Sequence, residues 1–287
     1  MLYLVIPVYN RWHYTRACLE ALRQQTFRAF RTVVVDDGST DGTAGHLADA
    51  FPEVTVLKGS GNLYWTAAVN LGIAHAVAQG ADRVMTLNND TLPPPDFLAR
   101  MHGQSLEHPD ALLGPLELDA GTGKILYGGE RIDWLKATAE PLPGTAAPGQ
   151  PGGLHPVDWL PGRGLLIPAV VFATTGPFDA RTFPHYFADL DFTRTALRHG
   201  FPLYLNYEAK LLTYPEASGD RQNKARKSLR NYYNHLFGIK GGGNLRDFTR
   251  FARRHCPWPY LPSYVLLGSL RRIGGYFKKG DRSGFSE

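Results

Sequence analysis

Sulfur is scarce in this chain: 287 residues include two cysteines, Cys18 and Cys256, and three methionines. The cysteines lie far apart and in no CxxC or Cys/His cluster, so nothing suggests zinc or redox chemistry, and a reducing cytoplasm is the simplest compartment. Long apolar runs are missing too. Pro7 interrupts the apolar amino-terminal stretch, which has neither a basic leader nor a small-residue cleavage site and reads as a first strand, not a signal peptide. The longest apolar run near the carboxyl terminus is about ten residues and is broken by Pro262. Crossing a bilayer takes roughly 20. No internal repeat is present, and no GxGxxG follows the first strand, so the dinucleotide fingerprint is absent.

The length is ample for one large α/β domain or two smaller ones with their own core. Its charge is unevenly placed. Residues 221–287 hold 15 Lys or Arg against 3 acids, net +12, whereas residues 1–220 hold 16 against 23, net −7. A basic tail on an acidic body suits an anionic partner such as a membrane surface, or else a solvated terminal helix. Nucleic acid is set aside because the tail has no interleaved aromatics on a recognisable platform.

Strand and helix signals alternate from the start. Strands are predicted at 2–8, 31–36, 54–58 and 84–88, and helices at 14–24, 43–50, 67–79 and 95–107. Such alternation predicts an α/β fold with a mainly parallel, mixed sheet covered by helices on both faces. Strand-like pieces follow at 111–118 and 124–127. Residues 136–157, rich in Pro, Gly and Ala, read as an exposed loop. A strand over 159–167, a helix over 189–198 and a strand over 202–207 complete the body. In the tail, Leu266, Leu270, Ile273 and Phe277 form one helical stripe flanked by Arg271, Arg272, Lys278 and Lys279. The stripe suits interfacial attachment, and equally well packing on the body.

Two predicted strands end in oxygen-bearing side chains, Asn88-Asn89-Asp90 and Asp36-Asp37. Such oxygens at the carboxyl end of a parallel strand can hold a hard divalent cation or a ribose or base. Asn-Asn-Asp also suits a plain turn into Thr91-Leu92-Pro93. Asp37, Ser39, Asp41 and Gly42 fall at calcium-loop positions one, three, five and six, but the twelfth position is Ala48, which cannot ligate.

The order Ile6-Pro7-Val8-Tyr9-Asn10, Val35-Asp36-Asp37-Gly38-Ser39-Thr40-Asp41, Gly61-Asn62-Leu63-Tyr64-Trp65, Asn88-Asn89-Asp90, Trp159-Leu160-Pro161-Gly162-Arg163-Gly164 and Phe187-Ala188-Asp189-Leu190-Asp191 resembles family 2 of the glycosyltransferases. Within it, bacterial rhamnosyltransferase-like members are the most similar. The resemblance spans residues 2–210. It implies a GT-A fold with a catalytic domain over 1–215, donor half 1–110 and acceptor half 111–215, followed by a basic helical extension over 216–287. It also implies transfer of a sugar, rhamnose from dTDP-rhamnose being the first expectation, to a glycan or lipid-diphosphate-linked acceptor in bacterial surface polysaccharide synthesis, at the inner face of the cell membrane.

Carried over residue by residue, the resemblance assigns Pro7, Tyr9, Asp37, Asn62, Trp65, Asn88 and Asn89 to a dTDP- or UDP-linked sugar. Asp90 would hold Mg²⁺ or Mn²⁺, Asp189 would be the general base, and Trp159, Gly162, Arg163 and Asp191 would meet the acceptor. This sequence departs from the family pattern in three places. Asn88 stands where the metal motif has its leading acid, Ala188 replaces a Glu, and the segment Leu212–Ser218 has no metal-binding His. A nucleotide-sugar or glycan-binding protein that has kept the fold and lost most of its catalysis is the alternative. Read without the family, Asp189 and Asp191 could simply charge a helix N-terminus, Trp65 and Trp159 could be core, and Arg163 could be a surface ion pair.

Overall fold

The computed structural model describes residues 1–142, 152–217 and 228–276. The middle of the expected loop, Ser218, and Phe277, Lys278 and Lys279 of the tail lie outside the described residues. The amino-terminal half alternates as its sequence demands: β1 (Leu2–Val8), α1 (Trp12–Arg23), β2 (Phe30–Asp36), α2 (Thr43–Ala50), β3 (Thr55–Lys58), α3 (Tyr64–Ala78) and β4 (Arg83–Thr86). These strands pair in the order β3-β2-β1-β4, all parallel. Val33, Val34 and Val35 are fully buried because helices cover both faces, which is why these strands read as continuous apolar runs. Gly72 lets α3 lie against β1, where a Cβ would come within 2.3 Å of Val5 Cγ1.

Then follow β5 (Thr91–Leu92), α4 (Phe97–Glu107), β6 (Leu112–Asp119), β7 (Ile125–Tyr127), β8 (Glu130–Asp133), β9 (Thr138–Pro141), β10 (Leu154–Pro156), β11 (Leu165–Pro168), α5 (Ala169–Thr175), α6 (Ala188–Arg198) and β12 (Leu203–Thr213). Antiparallel β11 joins β4 to β6, and the main sheet runs β10-β12-β6-β11-β4-β1-β2-β3. Two apolar cores lie on its two faces. One is built with α1, α2 and α4, the other with α3, α5 and α6.

Several boundaries differ from the sequence reading. β4 stops at Thr86 and not at Asn88, and Thr91-Leu92 then pairs with the far end of β12. β12 continues to Thr213, past the expected end at Tyr207, with a register shift between Asn206 and Lys210. The expected loop over 136–157 contains β9 and β10, and it buries Ala139, Leu142 and Val157. Pro and Gly content signalled turns there but could not report that the flanks pair.

After the sheet come α7 (Leu229–Phe237), α8 (Leu245–His255) and α9 (Leu261–Gly275). Pro262, which interrupts the apolar run, lies in the first turn of α9, where a proline suits a helix start. The apolar tail stripe does not pack on the body, since Leu266 is 61% and Leu270 57% exposed. The inward stripe is Tyr264, Gly268, Arg272 and Tyr276, spaced by four, with Gly268 against Phe248 of α8. Among the described residues no helix is long and apolar enough to cross a membrane.

Candidate active site

A cavity of about 840 Å³ opens at the carboxyl ends of β1, β2 and β4. That is where an open α/β sheet gathers its chemistry. Pro7, Tyr9, Asp37, Asn62, Trp65, Asn88, Asn89, Asp90, Trp159, Gly162, Arg163 and Asp189 all line it. Asp191 does not. Four non-glycine residues on its wall, Asn10, Arg11, Tyr64 and Phe187, have positive φ, and only Ala137 does so elsewhere among the described residues. Strain of this kind persists where surrounding structure enforces it, commonly at functional sites.

Asp37 organises the end of the cavity next to β2. Its Oδ1 accepts from Gly61 N–H at 2.8 Å, and its Oδ2 accepts from the N–H groups of Leu63 (2.8 Å) and Tyr64 (3.2 Å). The carboxylate therefore fixes the loop that carries Asn62 and starts α3. Tyr9 stands half-exposed beside it. The two asparagines are tied down as well: Asn88 Oδ1 accepts from Trp65 Nε1 at 2.9 Å, and Asn89 Nδ2 donates to Thr15 Oγ1 at 2.9 Å.

Asp90 has a buried Oδ1 without a hydrogen-bond partner, and burial raises its pKa while Arg163 and Arg11 pull it down. An orphaned carboxylate oxygen fits a hard cation. Mg²⁺ and Mn²⁺ can be held by one carboxylate together with substrate phosphates, so Asp90 suffices as the protein ligand. Among the described residues no group of three His, Cys, Asp or Glu gathers to hold a metal, and Leu212–Ala217 supplies no histidine.

Asp189 begins α6. Phe187, with φ 66, turns the chain so that Asp189 enters the cavity. Its Oδ2 accepts from Gly162 N–H at 2.9 Å and its Oδ1 from Leu190 N–H at 3.0 Å. Burial raises its pKa, the Gly162 N–H being the first of the influences that oppose it. Gly162 itself is packed under Trp65, where a Cβ would come within 2.4 Å of the indole ring.

Asp191 corrects an expectation. Two residues along a helix is a turn of about 200°, which carries its side chain to the far side of α6. There it is buried, accepts from Arg254 Nη1 at 2.8 and 3.0 Å, and lies 2.8 Å from His255 Nε2. It pins α8 to α6 and does not meet an acceptor in the cavity.

The sequence reading missed Glu117, which is 0% exposed on β6. Its Oε2 accepts from Arg163 Nε at 2.9 Å and lies 2.7 Å from Nη2, while its Oε1 has no partner. An acid inside the apolar run Leu112–Leu118 was the available signal, since acids are seldom buried unpaired. It also missed that the extension reaches the cavity. His235, Lys240 and Arg272 line it, and Lys240 Nζ lies 5.6 and 5.7 Å from the ring centroids of Tyr9 and Tyr64. His185, on the same wall, has a buried Nδ1 without a partner, and burial with Lys240 and Arg11 nearby lowers its pKa to about 4.

The mixed α/β sheet, with acids gathered at its strand ends, has the GT-A fold. Residues 3–127 match the model of glycosyl transferase family 2. It is 25% identical over 291 residues to an N-acetylglucosaminyl-diphospho-decaprenol L-rhamnosyltransferase of Mycobacterium tuberculosis, covering 93% of this chain and 90% of that protein. The fold is similar to that of the mannosyltransferase PcManGT from Pyrobaculum calidifontis in complex with GDP-Man and Mn²⁺ (TM-score 0.63, 16% identity, 96% of this chain and 72% of the other). It is also similar to that of GalNAc-T7 with UDP, GalNAc and Mn²⁺ (TM-score 0.64, 13% identity, 96% and 56%).

Proposed function

We propose that this protein is a metal-dependent, inverting glycosyltransferase that moves rhamnose from dTDP-rhamnose to a hydroxyl of a lipid-diphosphate-linked glycan in bacterial surface polysaccharide synthesis. One observation carries the reading: Asp90 and Asp189 share a single cavity. Residues 1–110 hold the donor, residues 111–215 the acceptor, and residues 216–287 form the extension. Tyr9 and Asp37 take the nucleoside, dTDP- or UDP-linked, while Asn62, Trp65, Asn88 and Asn89 surround the donor sugar and phosphates. The Mycobacterium tuberculosis relative, whose name gives both rhamnose and a lipid-diphosphate acceptor, supports this choice of substrates.

As the anomeric bond breaks, positive charge grows on the sugar and negative charge on the diphosphate. Mg²⁺ or Mn²⁺ on Asp90 would supply counter-charge to that leaving group. Asp189 takes the proton of the acceptor hydroxyl, and Gly162 N–H holds the carboxylate in place for it. A single displacement inverts the anomeric centre. Trp159 and Arg163 flank the acceptor.

Outward apolar residues support a peripheral contact with an anionic membrane. Leu229, Tyr233 and Phe237 on α7, and Leu266, Leu270 and Ile273 on α9, are exposed within the most basic part of the chain. A chain ending near residue 240 lacks α9 and should bind anionic liposomes more weakly than the full chain.

The deciding experiment screens dTDP-, UDP- and GDP-sugars for thermal stabilisation with and without Mn²⁺, then assays transfer. A ligand at 100 times its Kd adds about 2.7 kcal/mol. Binding with neither transfer nor slow hydrolysis of any nucleotide sugar would favour the binding-protein reading, which the engagement of both Asn88 and Asn89 by other side chains supports.

A further inference from the structure

Arg272 stands out in the extension. Its guanidinium carbon lies 3.7 Å from the ring centroid of Phe248 and 5.5 Å from that of Phe187. Nη1 donates to Gly268 O of its own helix at 3.3 Å, and Nε is buried without a partner. No carboxylate pairs with it among the described residues. Burial lowers its pKa to about 10, and the charged or titratable groups that act on it are Tyr264 and Arg271. Arg272 is half-buried, with its Nε fully so, and partly removing a guanidinium from water without a counter-charge is costly. Yet Arg272 lines the main cavity.

Its neighbours indicate which end of the cavity it serves. Phe187 directly precedes α6 and its Asp189. Arg272 also borders a small pocket with Trp159, Leu190 and Tyr264. Both features lie on the side where the acceptor hydroxyl must approach the base. The donor end, marked by Tyr9, has a different cation in Lys240.

We propose that Arg272 binds a phosphate of the acceptor, so that the natural acceptor carries a phosphate or diphosphate next to the sugar whose hydroxyl faces Asp189. Resting on the glycosyl-transfer reading above, this assigns the acceptor phosphate of that reading to one residue of the extension. Arginine suits the role because its planar fork can donate two parallel N–H bonds to one phosphate. The extension then belongs to the acceptor site, and the tail's positive charge has a use inside the cavity as well as outside it.

The test uses the full chain with its donor site saturated by dTDP or UDP, whichever binds. Inorganic pyrophosphate and farnesyl diphosphate are then titrated calorimetrically. Arg272→Gln, which keeps an apolar stem on Phe248, should weaken both probes at least tenfold and leave the nucleotide Kd unchanged. Arg272→Lys, which keeps the charge and loses the fork, should fall between. Tighter binding of farnesyl diphosphate than of pyrophosphate would identify a lipid carrier, and equal binding a sugar phosphate. The proposal is overturned if the nucleotide-bound protein takes neither probe, if Arg272→Gln binds them as the parent does, or if the substitution weakens nucleotide binding instead. Failure of the unsubstituted protein to bind any nucleoside diphosphate would be a separate result, and would sink the glycosyl-transfer reading itself.

Discussion

The backbone N–H of Gly162 donates to Asp189 Oδ2 at 2.9 Å, so the residue under Trp65 on one side of the cavity aims the carboxylate that begins α6 on the other. Two segments far apart in sequence thereby fix one oxygen. The contact also opposes the rise in carboxyl pKa caused by burial. Orientation and basicity of Asp189 are therefore set together, and both can be measured.

Replacing Asp189 by Asn should leave nucleotide-sugar binding intact and lower kcat by about 10² to 10⁴, the usual worth of a general base. A base works only when ionised. Because burial raises the Asp189 pKa above its ordinary value of 3.8, the acid limb of kcat/KM should be centred above pH 3.8 and the profile stay flat on its alkaline side. A limb centred at or below pH 3.8, or full turnover by the Asn variant, would move the base elsewhere.

Gly162→Ala tests the same contact from the other side. The added methyl would lie within 2.4 Å of the Trp65 ring, whose Nε1 holds Asn88. Trp65 must move, and with it the turn after β4 that carries Asp90. A displacement of about 1 Å can cost about 10² in rate, so kcat should drop by that order while the nucleoside Kd, which the proposal assigns to Tyr9 and Asp37, changes little. Paired kinetics and calorimetry separate the two.

Much of this was legible in the chain itself. Apolar runs ending in Asp36-Asp37 and Asn88-Asn89-Asp90 state both the strand and its chemically useful end, because a doubly covered parallel strand has to be apolar until it leaves the sheet. The extension was not legible. Its inward stripe, Tyr264, Gly268, Arg272 and Tyr276, is not apolar, so periodicity selected the exposed stripe with Leu266 and Leu270 instead. Asp191 shows the same limit: its motif places it beside Asp189, and only its partners Arg254 and His255, more than sixty positions away, show which way it faces.

Glu117 and Arg163 form a pair whose halves are not interchangeable. Glu117 is wholly buried and Arg163 about one-third exposed. Taking away one partner of a fully buried pair costs about 3–5 kcal/mol, and solvent at Arg163 reduces that. Arg163→Met should therefore destabilise the protein by about 2–3 kcal/mol in urea unfolding, by leaving the acid alone. The double variant with Glu117→Leu should recover most of the loss, because the acid no longer needs a partner. Equal stability of the single and double variants would show that the unpaired acid is not what destabilises the single variant.

Glu130 gives a pH signature separate from catalysis. It is buried, accepts a hydrogen bond from the Trp159 side chain, and leaves Oε2 without a partner. Burial raises its pKa from 4.5 to about 7. Between those values the folded state holds a proton that the unfolded chain has released, so stability must fall as pH rises from about 4.5 and level off above about 7. A shift of that size corresponds to about 3 kcal/mol. Glu130→Gln stays uncharged throughout and removes this slope. The difference in Tm between variant and parent should therefore grow in favour of the variant between pH 5 and pH 8, read by calorimetry at matched ionic strength. A constant difference would mean that Glu130 is ionised in the folded protein and that its pocket is wetter than its burial indicates.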